Sequence, residues 1–179
     1  MAEALRASGL PITKQAIRTG LAAARWPARM QVVAHAPLVV VDGAHNADSF
    51  AKLFTALHHH FSFERLVLVL GLMADKDQEG IAAEIARAGV DMAVTTSIAM
   101  PRAALPEALA TLLAAKAANV HVETRPTTGE ALTEALRLAG PRDLVCVAGS
   151  LYIAGEALRW LAAQPETIPG AIEIAGVDH

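Results

Sequence analysis

Three stretches of this 179-residue sequence place anion- or hydroxyl-binding residue types where turns would lead from strands into helices. The first reads Asp42-Gly43-Ala44-His45-Asn46. An aspartate at a strand end can accept both hydrogen bonds of a diol such as ribose, and Gly43 admits close backbone approach. Asn46 can cap the following helix, and His45 stands beside that helix N-terminus. Ordinary turn and cap roles suit Asp42 and Asn46 equally well. The second stretch reads Gly71-Leu72-Met73-Ala74-Asp75-Lys76-Asp77. Lys76 is a point charge suited to a carboxylate or phosphate, flanked by acids that can restrain it; taken alone, a solvated surface lysine is the simpler reading. The third, Ala148-Gly149-Ser150-Leu151-Tyr152, puts a hydroxyl and backbone N–H groups at a helix start, which suits an anionic carboxylate. A plain N-cap accounts for Ser150 as well. Thr95-Thr96-Ser97 is polar without distinctive spacing and supplies pocket wall at most.

Other features point away from chemistry. His58, His59 and His60 are consecutive at a helix end, so their side chains diverge and no metal ligand set is assigned. Cys146 lies among apolar neighbours, where a cysteine behaves as a small buried hydrophobe. No Gly-x-Gly-x-x-Gly follows a strand, and no Gly-x-x-x-x-Gly-Lys-Ser/Thr phosphate loop is present.

The elements that must position these loops alternate. Short β-branched runs at 31–33, 38–41, 66–70, 92–96, 120–122 and 144–147 are separated by helical stretches at 48–60, 78–88, 105–117, 129–139 and 151–163. Continuously apolar strands separated by helices belong to a parallel sheet covered on both faces, since neither face of such a strand meets water. The expected fold is α/β, a doubly wound, mostly parallel sheet of about six strands with helices on both faces. In such a sheet, ligands bind beyond the carboxyl ends of the strands, where all three loops fall. Before the sheet, two short helical segments flank Gly9-Leu10-Pro11, with Thr13 as N-cap of the run 14–23. The apolar face of the first has no obvious partner. After the last helix, Pro165 and Pro169 break the pattern.

Composition removes several classes of function. Hydrophobic residues make up 54% of the chain, but much of this is alanine within helical stretches, and no apolar run reaches a membrane-spanning length of roughly 18 residues. With 15 basic against 18 acidic residues and no block of like charge, neither nucleic acid nor a membrane is an expected partner. A single cysteine cannot form an internal disulfide, and no signal-peptide layout opens the chain, so a cytoplasmic setting is expected.

Taken in order, Arg25-Trp26-Pro27-Ala28-Arg29, the loop at 42–46, the loop at 71–77 and Gly149-Ser150-Leu151-Tyr152 resemble the C-terminal part of the folylpolyglutamate synthase/dihydrofolate synthase family of Mur ligases. The resemblance runs to about residue 163. Family members usually carry Gly where Ala28 stands, so the turn before Arg29 is expected to be stiffer here.

The resemblance implies an ATP-dependent amide-forming ligase. A carboxylate of dihydropteroate or a folate glutamate tail is phosphorylated, and L-glutamate's amine then attacks the acyl phosphate. It implies that residues 1–28 close a central domain, that 29–163 form the glutamate-ligase domain, and that 164–179 are a tail. It further implies that the phosphate loop and the Mg2+ ligands lie in an N-terminal ATPase domain absent from this sequence, which leaves this chain a fragment inactive by itself. Arg29, Asp42 and His45 would bind ATP, Lys76 and Ser150 would bind glutamate, and His45 and Lys76 would be catalytic. A peptidoglycan-precursor or cyanophycin ligase shares the same plan, although Trp26-Pro27 and residues 149–152 favour the folate branch. A stand-alone binding module of the same fold is the alternative from another class.

Overall fold

The computed structural model describes residues 1–24 and 26–164. Arg25 and the tail at 165–179 lie outside the described residues, so the tail's expected role stays there too. Two helices come first, α1 (Ala2–Ala7) and α2 (Lys14–Ala23). The Thr13 side chain accepts from the Ala16 N–H and caps α2. No residue of α2 is buried, and Leu5 and Leu21 are exposed.

Strands and helices then alternate as the residue pattern predicts: β1 (Gln31–His35), β2 (Leu38–Val41), α3 (Ala47–His60), β3 (Leu66–Leu70), α4 (Gln78–Arg87), β4 (Met92–Thr96), α5 (Pro106–Lys116), β5 (His121–Arg125), α6 (Thr128–Leu138), β6 (Leu144–Ala148) and α7 (Leu151–Ala163). They form one six-stranded sheet in the order β1-β2-β6-β3-β4-β5, in which β1 is antiparallel to β2 and the other pairs are parallel. The Ala36-Pro37 peptide in the β1–β2 turn is cis.

Side-chain size alternates through the central strands and decides what covers each face. Leu66, Leu68 and Leu70 of β3 point to one side, where Phe50, Leu53, Phe54 and Leu57 of α3 join Ile81 and Ile85 of α4 and Leu109 and Leu113 of α5. Val67 and Val69 point to the other, with Val145 and Val147 of β6, under α6 and α7. Those two helices present Ala131, Ala135, Ala154 and Ala157, small residues that let them approach the sheet closely. All residues of β3 and β6 are buried, as a centre covered on both faces requires.

The sequence reading placed the end of the fifth strand at residue 122, whereas β5 continues through Glu123, Thr124 and Arg125. It is an edge strand, so polar side chains keep contact with water. Arg125 pairs with Glu123 at 3.2 Å and with Glu134 of α6 at 3.0 Å. Among the described residues, no helix is long and apolar enough to cross a membrane.

Candidate functional site

The chain passes from β2 to β3 over a gap that β6 later fills, and the loops leaving these neighbouring strands meet at the carboxyl edge. Several backbone hydrogen bonds lace them together. The Asp42 N–H donates to Val147 and the Gly149 N–H to Ala44, each carbonyl lying within 2.9 Å. Gly149 has φ +131, and a Cβ there would run into the Gly71 carbonyl. Only glycine fits that crossing of two backbones.

Two clefts open on this edge. The larger, about 460 Å³, is lined by Trp26, Arg29, Met30, Asp42, His45 and Leu151 among others. The smaller, about 200 Å³, is lined by His45, Asp75, Lys76, Arg102, Ser150 and Tyr152, with Leu151 again in its wall. His45 and Leu151 therefore stand between the two. The expected residues fall into sets: Arg29 and Asp42 in the first cleft, Lys76 and Ser150 in the second, His45 in both.

Asp42 is buried, and its carboxylate does not stand idle. Oδ2 accepts from the Met30 N–H at 2.7 Å and Oδ1 from the Ala44 N–H at 2.8 Å. Each oxygen keeps further lone-pair capacity for a hydroxyl. The Met30 bond holds a turn in which Ala28 and Met30 both have positive φ, 55° and 43°. Gly43 donates to the Ala28 carbonyl, and the Gln31 side chain accepts from the Ala28 N–H. This turn presents Arg29, whose guanidinium lies 5.2 Å from the centre of the Trp26 ring.

The His45 Nδ1 lies 2.9 Å from the Gly43 carbonyl. A carbonyl only accepts, so Nδ1 carries a proton, and in the neutral ring Nε2 is left as an acceptor. Asn46 caps α3 by accepting from the Ser49 N–H. The Ser49 hydroxyl in turn accepts from the His45 and Asn46 N–H groups, completing a capping box that the sequence reading did not include.

Ser150 is both the cap and a candidate donor. Its Oγ accepts from the Ile153 N–H at 3.1 Å, which leaves the hydroxyl proton available to a carboxylate in the smaller cleft. Lys76 is exposed and enters no ion pair among the described residues. The acids expected to restrain it do otherwise. Asp77 caps α4 by accepting from the Gly80 N–H, and Asp75 faces Arg102. Consecutive loop side chains point apart, and each acid met a donor closer than the lysine.

A family model described as Mur ligase, glutamate ligase domain, matches residues 28–151, well over half of the sequence. The chain belongs to the Mur ligase, glutamate ligase domain, family. It is 37% identical over 144 residues to the folylpolyglutamate synthase of Lacticaseibacillus casei, covering 80% of this chain and 32% of that protein. A structure of Escherichia coli FolC in complex with DHPP and ADP superposes with a TM-score of 0.82 at 30% identity, covering 91% of this chain and 38% of that one. A bifunctional folylpolyglutamate synthase/dihydrofolate synthase structure with Mn, AMPPNP and L-glutamate bound matches with a TM-score of 0.75 at 31% identity, covering 90% and 37%. The chain thus spans about a third of the length of these relatives.

Within this ligase domain the sequence reading missed Arg102 and gave Tyr152 no role. Arg102 enters the smaller cleft because its loop pairs with the Lys76 loop, a contact between segments far apart in the chain that leaves no local signal. The histidines at 58–60 play no part here: the His58 Nε2 lies 2.8 Å from the Ala88 carbonyl at the end of α4. Cys146 is fully buried, and burial, aided by the Asp42 charge, pushes its thiol far above the usual range. It remains a packing residue.

Proposed function

We propose that this domain is the amino-acid-binding half of an ATP-dependent ligase that joins L-glutamate to dihydropteroate or to a folate glutamate tail through an acyl phosphate. The observation that carries the reading is the shared wall: His45 and Leu151 line both the Arg29–Asp42 cleft and the Lys76–Ser150 cleft. A ligase of this kind must bring an amine beside a carboxyl activated by phosphate, and two adjoining clefts that share a wall answer that need. The relatives named above support the choice of substrates.

In this reading ATP supplies the phosphate that activates the acceptor carboxyl. Asp42 uses its remaining lone pairs for the ribose hydroxyls, and Arg29 offers its charge to phosphate oxygens. Lys76 and the Ser150 hydroxyl hold a carboxylate of glutamate by charge-assisted hydrogen bonds. The His45 Nε2, left as an acceptor by the Nδ1 contact, takes a proton from the attacking amine. Among the described residues, no group of three or more His, Cys, Asp or Glu side chains is arranged to hold a metal ion. In this reading the Mg2+ ligands belong mainly to a central ATPase domain that lies N-terminal to this one. Residues 1–28 close that central domain, 29–163 are the glutamate ligase domain, and the setting is cytoplasmic.

The test is glutamate-dependent ADP release by the longer polypeptide, with dihydropteroate and tetrahydrofolate as competing acceptors. Lys76→Ala is expected to raise the glutamate KM at least tenfold, as loss of a charge-assisted contact does (roughly 1.5–3 kcal/mol), and to leave the ATP KM in place. An unchanged glutamate KM would remove Lys76 from the site. The isolated chain is expected to show no turnover.

A further inference from the structure

His45 and Leu151 are the residues common to both clefts, and stability does not explain why Leu151 is a leucine. It is the first residue of α7 and 67% exposed, so it adds little to the core. The helix dipole favours an acid at such a place. Asp48, Glu79, Glu107 and Glu130 stand in the first turns of α3, α4, α5 and α6, whereas α7 opens with Leu151 and Tyr152 and has no acid there. The side chain is nevertheless seated. A Cβ at Gly43 would stand 2.5 Å from Leu151 Cδ2 and 3.5 Å from its Cγ, so the isobutyl group rests on backbone left bare for it. Exposed apolar side chains scattered singly need no explanation, but these are not scattered. Beyond residues 1–24, the exposed large hydrophobics among the described residues are Trp26, Leu105, Leu151 and Tyr152, and all except Leu105 line one of the two clefts.

The polar half of the shared wall makes the apolar half necessary. With Nδ1 protonated against the Gly43 carbonyl, His45 Nε2 accepts a proton from whichever nucleophile reaches it, and water is in great excess over any amine. In ligation the amine nitrogen attacks the acyl carbon, the C–O bond to phosphate breaks, inorganic phosphate leaves with the bonding pair, and His45 takes the amine proton. Attack by water breaks the same bond and gives its proton to the same nitrogen, but it returns the acceptor carboxylate and leaves only ADP and phosphate as products. A base cannot tell these nucleophiles apart. A wall that offers no hydrogen bond can, because a water held against it forfeits partners that it keeps in bulk.

Resting on the ligase reading above, we infer that Leu151 selects amine over water as the nucleophile, by keeping the junction of the two clefts dry while the acyl phosphate is present. In the longer polypeptide supplied with ATP, glutamate and tetrahydrofolate, Leu151→Ala and Leu151→Ser are expected to raise the ratio of ADP released to amide formed by about three- to tenfold, with serine the worse. In heavy-oxygen water, the acceptor recovered from these variants should carry label in its carboxylate. Leu151→Met, which keeps the volume, should restore coupling. Gly43→Ala, which pushes the Leu151 side chain aside without removing it, should uncouple by a smaller factor. The ratio does not depend on how much of a variant is folded, so a merely structural loss leaves it unmoved. An unchanged ratio in both Leu151→Ala and Leu151→Ser, or an acceptor carboxylate free of label, would overturn the assignment. If the unsubstituted polypeptide ligates glutamate and these variants stay coupled, this inference alone fails. If the unsubstituted polypeptide does not ligate glutamate, the ligase reading fails and takes this inference with it.

Discussion

Asp143 at the amino edge of the sheet and Asp42 at the carboxyl edge are both buried carboxylates beside a central strand, yet their surroundings differ in kind. Asp143 Oδ2 accepts from Arg65 Nε at 3.1 Å, from Arg65 Nη2 at 2.6 Å and from the Gly140 N–H at 2.6 Å. Burial opposes its charge, but the Arg65 and Gly140 hydrogen bonds outweigh that and hold the carboxyl below its usual range. Nearby, Asp91 accepts from the Leu66 N–H, so the amino edge is stitched by side chains matched to donors. Asp42 meets two backbone N–H groups and no cation among the described residues. Arg29 shares its cleft, and Lys76 and Arg102 line the adjoining one, cations only partly engaged by the protein itself. Saturated polar groups stabilise; incompletely engaged ones, gathered on a cleft, await a ligand.

The contrast can be broken most sharply where backbones cross. Gly149→Ala should destabilise the domain by about 3 kcal/mol or more, because a carbonyl cannot move aside as a flexible side chain can. Gly20→Ala in the exposed helix α2, where an added Cβ meets nothing within 4 Å, should stabilise by up to about 1 kcal/mol. Equal urea midpoints for the two would show that the loops at the carboxyl edge are not laced as described.

The two aspartates come next. Asp143→Asn should cost about 2 kcal/mol at neutral pH and Asp42→Asn about 1 kcal/mol, the difference between losing a charged partner and losing a neutral one. Because the folded Asp143 pKa is depressed, its contribution is complete above the unfolded value of about 3.9 and is lost as pH falls through the lower folded value. Denaturation midpoints measured between neutral and acid pH should therefore drop below about pH 4 in the parent, and Asp143→Asn should flatten that drop.

The smallest effect tests the turn before Arg29. Ala28 occupies the left-handed region, which costs about 1–2 kcal/mol, while glycine gains freedom in the unfolded chain worth about 0.4–1 kcal/mol. Ala28→Gly should therefore stabilise the domain by about 0.5 kcal/mol. A destabilised variant would mean that the turn relaxes in solution.

Much of this was legible because burial writes itself into residue type. Leu66-Val67-Leu68-Val69-Leu70 admits few readings other than a strand covered on both faces, and strands so covered direct attention to the loops at their carboxyl ends. Asp42, Lys76 and Ser150, which line the two clefts at that edge, were singled out that way. Glu123-Thr124-Arg125 was missed because an edge strand keeps contact with water and shows no apolar run. Arg102 was missed because its place depends on a bridge between Met73 and Ala103, and nothing local to residue 102 announces a partner thirty residues earlier. The expected restraint of Lys76 by Asp75 and Asp77 failed for the same reason: adjacency in sequence says little about which way loop side chains turn.

The position of β6 has a consequence for synthesis. As the chain leaves the ribosome, β2 and β3 emerge with bare facing edges, and β6, which joins them, is the last of the six strands to be translated. Until residue 148 is free, the nascent chain is two sticky half-sheets whose open seam invites pairing with a neighbouring chain. A premature stop before β6 would therefore yield aggregate rather than a smaller folded domain.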